Sequence, residues 1–187
     1  MERKDGKAKV YTKSEKTRRK IMKVLLELLD THSIDDVTIQ DICDKADIHR
    51  TTFYKHYGCI FDVMDAISAE ITNAFSNVLT VLGSKEEYFD FLADFIIDYR
   101  RQIKNFNKTK YKDMVISPLA VVLYEFYRKL FRIEKKPIPE GIRKDLMFRY
   151  HVSGTLAIAE YWLEEKCTRD ECRAGIAALY NMIFNEK

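Results

Sequence analysis

Arg50, Thr51, Thr52, Tyr54, Lys55 and His56 occupy seven consecutive positions broken only by Phe53. Their types suit one kind of surface. A guanidinium pairs bidentately with guanine, and a threonine offers a hydroxyl and a methyl group to base edges. Lysine, tyrosine and histidine hold phosphates. Phe53 and Tyr57 stand four residues apart, so on a helix they share a face. If that face turns inward, the polar residues occupy the remaining arc and look out. A duplex major groove wants donors and flat rings together. The plainer alternative is a helical hairpin with a decorated, solvated exterior.

Other chemistry is sparse. His151 is the one histidine after residue 60, and no serine, aspartate or cysteine stands at a telling spacing from it. Without a nucleophile–base pair or a ligand cluster, no enzyme activity, metal or cofactor is expected. The four cysteines, Cys43, Cys59, Cys167 and Cys172, form no CxxC pair. They read as reduced thiols of a cytoplasmic protein. The start lacks the apolar core of a secretory signal, and the most apolar run, "MVISPLAVVL", is too short and interrupted to span a membrane.

The candidate reading residues need elements to position them. Six glycines and three prolines in 187 residues leave little material for many turns, which favours long helices. Ile21, Val24, Leu25, Leu28 and Leu29 make one apolar stripe on a helix from about Glu15 to Thr31. Thr38 with Asp41 three residues on resembles a capping box, opening a short helix with Ile39, Ile42, Cys43 and Ala46 inward. Asp47 stands where that helix ends, and a second short helix starts near His49. Two short helices, a tight turn and a shared apolar wedge describe a helix-turn-helix. Later helices are expected at about 60–82 and through Tyr99, at a short "YKDMVIS", and from Pro118, as first helical residue after Ser117, to about Phe131. Two more are expected at about 142–165 and 169–184, with Thr168 as cap.

Charge follows the same division. The chain carries +3 overall, but residues 1–20 hold nine Lys/Arg against three acidic residues, so the remainder is net acidic by three. A basic leading end is the footprint of a phosphate-binding surface, or simply a solvated tail.

The stretch "TIQDICDKADIHRTTFYKHY", with the amphipathic helix before it and "FDVMDAI" after it, resembles the DNA-binding domain of TetR-type transcriptional regulators. The resemblance covers roughly residues 14–70. "YHVSGTLAIAEYWLE" is also similar to the penultimate helix of a subgroup common in Gram-positive bacteria. The resemblance implies an all-α fold in three parts. These are a basic, disordered arm (1–13), a three-helix helix-turn-helix DNA-binding domain (14–59) and a helical effector-binding and dimerisation domain (60–187). It implies a ligand-responsive regulator, a repressor, binding a palindromic double-stranded operator as a homodimer in the cytoplasm. Tyr54 and His56 would contact the DNA backbone, and Thr38 a phosphate at a helix N-terminus. His49, Arg50, Thr51 and Lys55 would face bases, with Thr52 on the same arc.

The sequence departs from the family pattern in several places. Asp47 stands where glycine is usual, Cys43 where alanine is usual, and Ile60 where a phosphate-contacting lysine is usual. These departures motivate a second reading, an adaptor or co-regulator that keeps the fold with weak or no specific DNA binding.

For the larger half the family's sensor pockets suggest Tyr124, Tyr127, His151, Thr155 and Tyr161 as polar groups around an unknown small-molecule effector. The helix "VSGTLAIAEYW" is apolar nearly all round, so it has two neighbours to satisfy. One is its own core. The other is expected to be a second subunit, through Gly154, Ile158 and Trp162, joined by Ile176, Leu179, Tyr180 and Ile183. A wholly internal core helix is the alternative.

Overall fold

The computed structural model describes residues 12–79, 81–107, 111–135, 141, 143–164 and 167–182. Among them are nine α-helices and one 3-10 turn. The chain divides into two compact units, Met1–Ile67 and Ser68–Lys187.

The first unit opens with α1 (Lys13–Leu29). The expected arm, residues 1–13, lies mostly outside the described residues. Its last two belong to the helix instead: the Thr12 hydroxyl accepts from Glu15 N while Glu15 answers Thr12 N at 2.7 Å, a complete capping box. Ile21, Val24, Leu25 and Leu29 are buried. A 3-10 turn (Ile34–Asp36) leads to α2 (Ile39–Ala46) and α3 (Arg50–Tyr54). The first part of α4 (Ile60–Leu79) buries Val63, Met64 and Ile67 in this unit. Asp62 fastens its start, accepting from Gly58 N at 2.7 Å and Cys59 N at 3.2 Å.

The second unit contains the rest of α4, then α5 (Lys85–Asp98), α6 (Arg100–Asn107), α7 (Asp113–Glu134), α8 (Lys144–Glu164) and α9 (Arg169–Met182). Its centre is aromatic. Phe75, Tyr88, Phe106, Phe126, Tyr127, Phe148 and Tyr180 are fully buried, and Phe126 meets Phe75, Tyr88 and Tyr127 within 6 Å between ring centres. Burial pushes the Tyr88 hydroxyl up to about 12. On the outside, Arg169 and Arg173 of α9 bind Asp90 of α5 at 3.0 and 2.7 Å, and Arg169 also binds Asp94. Burial alone would raise the Asp90 carboxyl; the hydrogen bonds from Arg173 and Arg169 overcome it and hold Asp90 below its ordinary value.

Two expectations are corrected here. The segment after Tyr99, where no further helix is expected before "YKDMVIS", forms the separate helix α6. More tellingly, Pro118 does not open a helix but lies inside α7, which runs unbroken from Asp113. A proline removes the bond to the carbonyl four residues back, here Met114, a loss costing about 3 kcal/mol when nothing replaces it. The hydroxyl of Ser68, buried on α4, donates to that carbonyl at 2.6 Å. A side chain 46 residues distant satisfies the group that proline orphaned.

Candidate nucleic-acid interface

Local chemistry sets α2. The Thr38 hydroxyl accepts from Asp41 N at 3.2 Å, and the Asp41 carboxylate accepts from Thr38 N at 2.8 Å and Thr38 Oγ at 2.6 Å. Those two bonds, the side-chain one foremost, hold Asp41 below the usual carboxylate range. The cap occupies the Thr38 hydroxyl, which leaves this residue its exposed position at the helix N-terminus. Asp47 ends the helix in the left-handed region, φ 49°, and its N–H bonds back to Asp44 O and Cys43 O. Glycine adopts that conformation without the Cβ penalty. Asp47→Gly is therefore expected to stabilise the first unit by about 1 kcal/mol, read as a higher urea midpoint at unchanged slope.

The orientation of α3 is unambiguous. Phe53 is 0% exposed and Tyr57 4%, with their ring centres 6.1 Å apart. Arg18 of α1 lies over the Tyr57 ring at 5.3 Å and donates from Nε to its hydroxyl at 3.5 Å. On the other side His49, Arg50, Thr51, Tyr54 and Lys55 are exposed, Tyr54 at 55%, while Thr52 and His56 are half-buried. Among these residues Arg50 has a hydrogen-bonded orientation: its Nε donates to Gln40 Oε1 at 2.6 Å, and Gln40 Nε2 donates to Asp44. Gln40 and Arg18 were not singled out from sequence. The polar pair inside "TIQDI" was the available signal for Gln40; nothing local pointed Arg18 at Tyr57.

The second unit holds a cavity of about 330 Å³. Its walls are apolar: Phe75, Leu92, Phe95, Ile96, Ile103, Ile116, Leu119 and Leu123, with Thr155, Leu156 and Ala159 from α8. Lys112, Asp113, Ser153, Ala157 and Glu160, all exposed, border it. Of the five sequence-predicted effector residues, Thr155 lines it and four do not. Tyr127 is buried beside it, hydrogen-bonded to the Thr155 hydroxyl, and burial pushes Tyr127 up to about 12. His151 is buried against Tyr127 and Phe131, ring centres 5.0 and 5.3 Å away. Tyr124 packs edge-on to Phe148, and Tyr161 is 65% exposed. The four belong to core or surface because periodicity places side chains on faces without saying where a void remains.

The residues expected at a subunit face are placed otherwise. Ile176 and Tyr180 are fully buried within the chain. Gly154 faces Leu179, and a Cβ at Gly175 would lie 2.5 Å from the Trp162 ring, so these residues form the α8–α9 seam. Ile158 is half-buried, and Ile183 lies outside the described residues. What α8 leaves bare is a different stripe: Leu146 and Tyr150, 55% and 54% exposed, then Ser153, Ala157 and Tyr161.

No family model matches the sequence, and no curated protein matches it. Solved structures do match its fold. A TetR transcriptional regulator from Streptococcus agalactiae 2603V superposes with a TM-score of 0.69 at 17% identity, over 89% of this chain and 94% of its own. The dihydroxyacetone kinase operon activator DhaS gives 0.70 at 14%, over 90% and 96%. A protein of Syntrophomonas wolfei assigned to the TetR family gives 0.72 at 15%, over 92% and 97%. The chain has the TetR-family regulator fold. In this TetR fold the helix-turn-helix is α2–α3, and α4–α9 supply the larger helical half. No helix among the described residues is long and apolar enough to cross a membrane.

Proposed function

We propose that this chain is a ligand-responsive transcriptional regulator, a repressor, which binds a palindromic operator as a homodimer in the cytoplasm. The observation that carries the reading is the division of α3: two rings sealed inward, with arginine, threonine, tyrosine and lysine displayed on the opposite side. Arg50, steered by Gln40, faces bases together with His49, Thr51 and Lys55; Tyr54 and His56 hold the DNA backbone, with Thr38 at the N-terminus of α2. Two copies present two such helices to half-sites about one helical turn apart. The bare α8 stripe is the natural face for the second copy, since exposed Leu146, Tyr150 and Tyr161 line up on one side of a helix.

The effector is a small, mostly apolar molecule fitting the 330 Å³ cavity, with Thr155 and the bordering Lys112, Asp113 and Glu160 as its polar partners. Ser153 and Ala157 belong both to the cavity border and to the bare stripe. Filling the cavity thereby biases the packing of α8 against its copy, and with it the spacing of the two reading helices.

Binding of the purified protein to its own upstream region and to random DNA, across a salt series, tests the reading. Arg50→Ala is expected to lower specific affinity about 10- to 100-fold. Lys55→Ala removes a cation from the DNA-facing arc and should reduce the salt slope by about one. Equal affinity for upstream and random DNA would overturn the proposal. A reporter strain lacking the gene reads the sign of control: rising expression supports repression. DhaS, of the same fold, is an activator.

A specific observation favours the adaptor as second reading. Asp41, Asp44 and Asp47 are exposed along and after α2, and the usual lysine is Ile60. An Arg50→Ala/Tyr54→Ala double substitution separates the two, because an adaptor keeps its cellular function without a DNA face.

A further inference from the structure

We propose that Cys167 and Cys172 are an oxidisable dithiol that closes to an intramolecular disulfide on reaction with a peroxide. Both are free thiols, and their sulfurs lie 3.0 Å apart. A disulfide is about 2.05 Å long, so closure asks for a shift of about 1 Å.

The two residues sit on unequal supports. Cys172 lies in the first turn of α9, which Thr168 and Glu171 cap and which Arg169 and Arg173 pin to Asp90 on α5. Cys167 precedes that cap and lies outside any helix. Exposure divides the roles in the same way. Cys167 is partly accessible, whereas Cys172 is fully buried. A small oxidant reaches Cys167; Cys172 is placed to be reached by Cys167. Burial, and then the contact with Cys167, pushes the Cys172 thiol up to about 12, which keeps it from reacting first.

The chemistry balances. The Cys167 thiolate attacks one peroxide oxygen and the O–O bond breaks, giving a sulfenic acid and hydroxide, which takes up a proton to become water. The Cys172 sulfur then attacks the Cys167 sulfur. The S–O bond breaks, and the departing hydroxide leaves as a second water with the Cys172 proton. Two thiols lose two electrons and the peroxide is reduced.

Full-length protein treated with hydrogen peroxide, denatured and alkylated, tests this without DNA, so the result is independent of the proposed regulator. The expected result is that two of the four cysteines escape alkylation. The unalkylated chain should lose about 2 Da, stay monomeric on a non-reducing gel, yield a crosslinked peptide joining 167 to 172, and recover with dithiothreitol. Cys172→Ala should stop at a dimedone-trappable sulfenic acid on Cys167. Cys167→Ser, at a partly exposed position, should abolish the bond and carries the test if the buried variant does not fold. Four alkylated thiols, direct passage of Cys167 to sulfinic acid, a crosslink between chains, or a bond through Cys43 or Cys59 would each overturn the proposal.

Discussion

Phe53→Ala is expected to destabilise the helix-turn-helix unit by about 3–5 kcal/mol. The ring is wholly buried and touches Tyr57 and Tyr54 at centre distances of 6.1 and 5.7 Å. Its removal opens a cavity under a five-residue helix that has no side-chain cap at its start. Such a helix is too short to persist on its own propensity; tertiary packing holds it. The loss is comparable with the whole stability of a small unit, so hydrogen exchange should show α2 and α3 amides unprotected while those of α7 and α8 stay protected. DNA binding should vanish with the fold of the reading helix. A measured loss under about 1 kcal/mol would mean the ring does not anchor α3, and the outward display of Arg50 and Lys55 would lose its cause.

The second large effect is a dependence on pH. Burial drives His151 down from 6.5 to about 4. The uncharged rings of Tyr127, Phe131, Tyr150 and Tyr180 lie within 6 Å of it between ring centres. The folded protein therefore keeps the imidazole neutral where the unfolded chain would protonate it. Stability is full above about pH 6.5, falls as the pH drops toward 4, and stops falling on this account below that value. The loss across the window is about 3 kcal/mol. His151→Phe should remove it: urea midpoints of the variant should stay level between pH 7 and pH 4.5 while those of the wild type decline. Carboxylates held low by their partners, such as Asp90, lose their contribution only below about pH 4, so the two causes separate on the pH axis. Parallel curves for variant and wild type would sink the assignment.

The elements around the proposed DNA-facing residues are legible because their causes are close in sequence. Thr38 caps through Asp41, three residues away, and Asp47 tolerates a left-handed backbone by its own chemistry. Phe53 and Tyr57 share a face through helix geometry alone. The Thr12–Glu15 box is equally local, but the basic run around it reads as a tail. Pro118 is not legible in this way. Its effect on a helix depends on whether the carbonyl of Met114 finds another donor, and that donor is Ser68.

The larger half shows the same boundary. Composition and periodicity were enough for long amphipathic helices and an α8 apolar on more than one side. Which side of α8 meets α9 and which stays bare depended on Gly175 admitting the Trp162 ring. The site of the cavity depended on how far α5, α7 and α8 stand apart around Thr155, and the approach of Cys167 to Cys172 on how the chain turns into α9. Helix capping, turn conformation and face periodicity act over three or four residues and are written in the order of the chain. Voids, seams and sulfur–sulfur distances arise between segments remote in sequence, and they take their values only when those segments pack.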